Sequence, residues 1–87
     1  MGRADTFGGM RRRMVFTRAF GLVLREARAR AQLTQEQLAF KAGIHPTYLS
    51  QVERGLKSPS LEVLVALSRA LHEKTHLLIQ AAEDRAR

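Results

Sequence analysis

The chain has no cysteine and no tryptophan, and only two prolines in 87 residues. Without thiols it can form no disulfide, build no cysteine-ligated zinc site and run no thiol chemistry. Aromatic residues make up 6% of the sequence, so the interior must rest on Leu, Ala and Val rather than on rings. No apolar run approaches the ~20 residues that a membrane-spanning helix needs. No secretory signal is present either, which makes the cytoplasm the expected location. Acid is scarce: eight carboxylates stand against fifteen Lys and Arg, a formal net charge of +7.

The positive charge that remains is unevenly spread. Residues 1–31 carry eight Arg against Asp5 and Glu26, whereas residues 60–87 carry four cations and four acids. A basic excess points to a polyanionic partner. A membrane surface is the other polyanion, but the first helix lacks the wide apolar face that surface binding requires, so no membrane partner is expected. The length suits one small domain. Residues 1–13, with Gly2, Gly8, Gly9 and the run Arg11-Arg12-Arg13, read as a flexible basic arm; residues 14–83 read as the folded domain and 84–87 as a charged tail.

The spacing predicts five helices and no strand. Phe16, Phe20, Val23, Leu24, Ala27 and Ala31 recur at three- and four-residue intervals, giving a first helix over 15–31. Thr34 and Gln37 form a capping box and Leu33 and Leu38 a hydrophobic staple, so a second helix starts at Gln35 and stops at Gly43. Pro46 suits the first position of a third helix, and Gly55 its end. Leu61, Leu64, Val65, Leu67, Ser68 and Leu71 give a fourth helix, capped by Ser60, its inward face. A turn at 72–75 and a short fifth helix follow, with the end from Glu83 fraying.

The third helix carries the chemistry. Leu49, Val52, Glu53 and Leu56 share one face. Thr47, Ser50, Gln51 and Arg54 share another that holds hydroxyls, an amide and a guanidinium but no acid and no large apolar group. Such a face suits base edges and phosphates. Glu53 is out of place on the apolar stripe, and burying it requires a cationic partner on a neighbouring helix.

The elements Leu33-Thr34-Gln35, Leu38-Ala39, Gly43, Ser50-Gln51, Glu53-Arg54-Gly55 and Pro59-Ser60-Leu61 together resemble the helix-turn-helix domain of the Cro/C1 (Xre) repressor family, over roughly residues 20–79. Departures from the pattern are His45-Pro46 at the start of the recognition helix and the residues before about Met14. The resemblance implies an all-α, five-helix, lambda-repressor-like bundle that binds double-stranded operator DNA as a homodimer. It makes Arg28 the partner of Glu53. It places Thr47, Gln51 and His45 at base edges, with Pro46 adding apolar contact, and Gln35, Ser50, Arg54 and Lys57 at phosphates. Tyr48 is placed at the backbone or in packing between helices. The consecutive Leu77, Leu78 and Ile79 exceed what one helical face can bury, and are expected to form the dimer interface. The segment Thr47-Tyr48-Leu49-Ser50 with Glu53-Arg54-Gly55 is also similar to controller proteins of restriction–modification systems. A reading of another class is an antitoxin whose main partner is a toxin protein; neighbouring genes would separate the two.

One motif points elsewhere. His72-Glu73-Lys74-Thr75-His76 matches H-E-x-x-H, which binds zinc only when both His share one continuous helix and a third ligand is at hand. Here it falls across the junction of two helices, so neither a metal nor another cofactor is expected. No nucleophile–base pair or phosphate-binding glycine loop stands out, and the chain reads as a binding protein rather than an enzyme.

Overall fold

The computed structural model describes residues 6–87; the start of the expected basic arm lies outside the described residues. The helices are α1 (Thr6–Arg30), α2 (Gln35–Ala42), α3 (Pro46–Glu53), α4 (Leu61–Ala70) and α5 (Thr75–Ala86), with no strand among the described residues. The expected all-α, five-helix architecture is what the chain adopts.

Local chemistry sets most helix ends. The capping box of α2 is present in both directions: Gln37 N–H donates to Thr34 Oγ1 at 3.0 Å, and Thr34 N–H donates to Gln37 Oε1 at 2.9 Å. Ser60 Oγ accepts the Val63 N–H at the head of α4. The chain then reverses after each of the first four helices through a residue with positive φ: Gln32, Gly43, Gly55 and His72. In each reversal a backbone N–H just past the helix returns to a carbonyl in its last turn, as in Leu33 to Arg28, Ile44 to Ala39, Leu56 to Gln51 and Glu73 to Ser68. His72 therefore ends the α4 segment and His76 sits inside α5. The H-E-x-x-H stretch does not lie on one helix.

Two ends differ from expectation. α1 runs back to Thr6, through Gly8, Gly9 and the triple arginine that the sequence reading assigned to a flexible arm. The helix forms despite the weak helix propensity of the glycines, and Met10, Arg13, Met14 and Thr17 face the α3–α4 loop across a groove. α5 likewise continues to Ala86 instead of fraying from Glu83. Arg85 Nη1 ties that end to Glu26 Oε2 at 2.7 Å, and Arg87 Nη2 reaches Asp84 Oδ1 at 2.9 Å.

The core is one cluster of Leu, Ala and Val with Phe20, contributed by all five helices. α1 packs on α5 and α3, and α2 packs on α3 and α4. Within α4, Leu64, Leu67, Ser68 and Leu71 point inward, and the Ser68 hydroxyl is satisfied by the Leu64 carbonyl at 2.9 Å. Leu61 and Val65, assigned to the same inward face, are instead exposed, Leu61 by 78%. At about 100° per residue the three consecutive apolar residues of α5 diverge. Leu78 is buried, Leu77 is exposed on one flank, and Ile79 is half-buried against the core on the other. Leu78 thus belongs to this chain's own core and is withdrawn from the expected dimer interface. No described helix is long and apolar enough to cross a membrane.

Candidate nucleic-acid interface

α3 presents two faces of opposite chemistry. Leu49, Val52 and Glu53 are buried, whereas Thr47 and Arg54 are exposed and Ser50 and Gln51 partly so. Tyr48 is half-buried and packs against the core cluster. Leu56, expected on the inward stripe, is exposed. The reversal at Gly55, φ +75°, ends the helical register before Leu56 is reached. Lys57 follows in the same exposed loop.

His45 takes a role that its residue type did not signal. Its Nδ1 accepts the Thr47 N–H at 3.1 Å, so histidine serves as the N-cap of α3, with Pro46 as the first helical residue. Histidine is not among the usual capping residues. A neutral imidazole that accepts at Nδ1 carries its proton on Nε2, and the exposed ring therefore offers an N–H donor outward, next to Thr47.

The buried side of α3 is held through Glu53. From α1, Arg28 Nε donates to Glu53 Oε2 at 2.7 Å and Arg28 Nη2 donates to Oε1 at 3.0 Å, a two-bond fork. The third nitrogen, Nη1, donates to the Leu33 carbonyl at 3.0 Å. From α2, Gln35 Nε2 donates to Glu53 Oε1 at 2.9 Å. Side-chain exposure is 2% for Glu53 and 17% for Arg28. No buried side-chain nitrogen or oxygen among the described residues lacks a partner. The hydrogen bond to Glu53 is the main reason the Arg28 pKa is raised above its ordinary value; burial opposes the shift and the carboxylate charge adds to it.

Gln35, expected at a phosphate, has its amide turned to Glu53. Nothing in its local sequence distinguishes the two roles. The amide nitrogen still carries a second hydrogen that Glu53 does not use. Gly21 was overlooked. A Cβ at that position would lie 2.5 Å from the Glu53 carbonyl oxygen and 2.6 Å from that of Val52. α1 thus passes the end of α3 with no room for a side chain. A glycine inside a strongly periodic helix was the available signal, because it costs helix stability unless a close approach needs it.

The three anchors, Gly21, Arg28 and Gln35, all act on the C-terminal half of α3. They leave Thr47, Gln51 and the His45 ring facing away from the protein on a helix whose buried side is fixed.

Residues 24–78, from the middle of α1 into α5, match a family model described as helix-turn-helix. Over 58 residues the chain is 41% identical to an uncharacterised HTH-type transcriptional regulator of Mycobacterium tuberculosis, a match covering 67% of this chain and 41% of that protein. The chain thus spans less than half the length of that relative. The control protein C.BamHI of Bacillus amyloliquefaciens is 40% identical over 53 residues, 60% of this chain and 65% of that protein. Among solved structures, the restriction–modification controller protein C.AhdI of Aeromonas hydrophila superimposes with a TM-score of 0.70 at 39% identity, covering 71% of this chain and 94% of that one. The clp gene regulator ClgR of Corynebacterium glutamicum gives 0.75 at 33% identity, covering 79% and 90%.

Proposed function

This chain belongs to the helix-turn-helix family of Cro/C1 type, and from that premise we propose that it is a sequence-specific DNA-binding transcriptional regulator that acts as a homodimer on operator DNA. The observation that carries this reading is the solvent-facing row Thr47, Ser50, Gln51 and Arg54 on a helix whose opposite side is locked by Glu53. α3 enters the major groove. Gln51, which both donates and accepts, suits the two-bond pattern of adenine, and Thr47 a thymine methyl or a single acceptor. His45 Nε2 adds a donor for a purine N7 or a phosphate oxygen. Ser50, Arg54 and Lys57 neutralise or bond the backbone, and the second amide hydrogen of Gln35 reaches a phosphate across α2.

The relatives named above, a restriction–modification controller protein and a clp gene regulator, favour a regulator of a small set of genes. The proposed dimer face lies where α1, α4 and α5 meet the α3–α4 loop. Phe16, Phe20, Pro59, Leu61, Leu64 and Ile79 line an apolar hollow of about 190 Å³ there, with Leu61 standing exposed at its edge. A second copy covers it, and the two α3 helices then lie about one DNA turn apart, ~34–36 Å.

The test is binding of wild type and Gln51→Ala to a duplex selected from random DNA and to a scrambled one, across a salt series. Gln51→Ala should cost about 1–3 kcal/mol on the selected site and relax base preference at one position per half-site. Its scrambled-duplex affinity and salt slope should stay as in wild type. Equal weakening on both duplexes would show that Gln51 is a backbone contact and that the reading face is misassigned.

A further inference from the structure

α1 carries a basic stripe that lies outside the family match, which begins at residue 24. Met10, Arg13, Met14, Thr17 and Arg18 recur at helical spacing and form one wall of a groove of about 460 Å³; the other wall is Arg54 to Ser58, the end of α3 and the loop beyond it. The walls are tightly joined. A Cβ on Gly55 would meet Arg18 Cγ at 2.8 Å and Arg18 Cα at 2.9 Å, so the loop rests directly on α1 at Arg18. Arg13, Arg18, Arg54 and Lys57 line the groove, and all four are exposed, with no acid among the lining residues. Among the described residues none of the four pairs with a carboxylate; the ion pairs present use Arg28, Arg30, Arg85 and Arg87.

We propose that this groove seats the sugar–phosphate strand that flanks the half-site, so that Arg13 and Arg18 of the extended α1 lengthen the DNA footprint beyond the recognition helix. The proposal rests on the DNA-binding reading above. Unpaired cations on both walls of one groove repel each other, and an anion in the groove removes the repulsion. The occupant is a nucleic-acid backbone because the groove begins at Arg54, the residue that ends α3. A strand leaving the major groove at α3 continues into it without a gap. Contacts of this kind read no bases; they add counterion release and therefore salt dependence.

The experiment uses the full chain and two duplexes holding the same selected site. One stops at the edge of the half-sites, and the other continues for about one helical turn, ~10 bp, on each side. Arg13→Ala removes an exposed charge. Arg18→Met removes a charge but keeps the stem that packs on Gly55. On the long duplex each should reduce the slope of log K against log salt by about 1 per protomer bound, and the pair by about 2. On the short duplex the slopes should match wild type, and Arg13→Lys with Arg18→Lys should restore the long-duplex slope. Unchanged slopes on the long duplex, with wild type still preferring the selected site, would overturn the groove assignment and leave the DNA-binding reading intact. Wild type binding neither duplex above a scrambled control would sink both. Arg13→Ala alone decides the matter if Arg18→Met lowers the melting temperature.

Discussion

At the scale of single residues, Glu53 and Gly21 govern how α3 is held. The pair Arg28–Glu53 is bidentate and almost dry. Removing one member of such a pair costs about 3–5 kcal/mol, since the other charge is stranded. Arg28→Ala should show the larger loss by thermal or urea unfolding, because the carboxylate it leaves is the more buried of the two. Glu53→Gln keeps an acceptor for Gln35 and Arg28 and should lose less than Glu53→Ala. The double variant Arg28→Ala, Glu53→Ala should lose clearly less than the sum of the singles; additive losses would show that the two are not coupled. Two glycines fail in different ways. Gly43 has φ +71° and nothing within 4 Å of an added Cβ. Gly43→Ala should therefore cost only the left-handed strain, ~1–2 kcal/mol, and leave DNA affinity unchanged. Gly21→Ala meets two backbone carbonyls and must push α3 aside, which overpacking places at about 1–3 kcal/mol. It should lower the melting temperature and the affinity for the selected duplex together. Glu53 was legible from the sequence because a carboxylate on an apolar stripe demands a partner. The inward turn of Gln35 was not, because an amide is equally at home in water and in a buried bond.

At the scale of elements, four helices end through a positive-φ residue, and two of these residues are not glycine. Gln32, φ 58°, and His72, φ 56°, carry strain that glycine would not. Relief of ~1–2 kcal/mol outweighs the ~0.5–1 kcal/mol of extra chain freedom that glycine gives the unfolded state. Gln32→Gly and His72→Gly should each raise stability by roughly 0.5–1 kcal/mol, seen as a higher melting temperature; a drop at either site would mean that its side chain holds the turn. Helix ends were readable where local chemistry decides them, as at Thr34, Pro46 and Gly55. They were unreadable where it does not. Gly8 and Gly9 argue against a helix, yet α1 continues through them, and nothing in the local sequence signals it.

At the scale of the whole molecule, the apolar excess of α5 was legible, but its burial was not: Leu78 lies in the core, Leu77 is exposed and Ile79 is half-buried. Three consecutive apolar residues announce an excess, but without the register of α5 on the bundle nothing says which of them is spare. The hollow beside Leu61 and Ile79 is the proposed dimer face, and Leu77 lies on the opposite flank of α5. Sedimentation velocity should find Leu61→Glu folded and monomeric at concentrations where wild type is dimeric, with Leu77→Glu remaining dimeric. Leu78→Glu should fail to fold, because it places a charge in the core. A wild type that sediments as a monomer at micromolar concentration would remove the interface altogether.

The anchoring of α3 from α1 and α2 bears on time as well as on stability. A reading helix that had to order itself at every trial position would lose free energy at each one. Here the shape is settled before contact. A protein held by non-specific phosphate attraction can then slide along a duplex and test each register with side-chain motions alone, which take picoseconds to nanoseconds. On the proposed DNA-binding reading, loosening the Glu53 network would slow the search for an operator before any change appeared in which sequence is preferred.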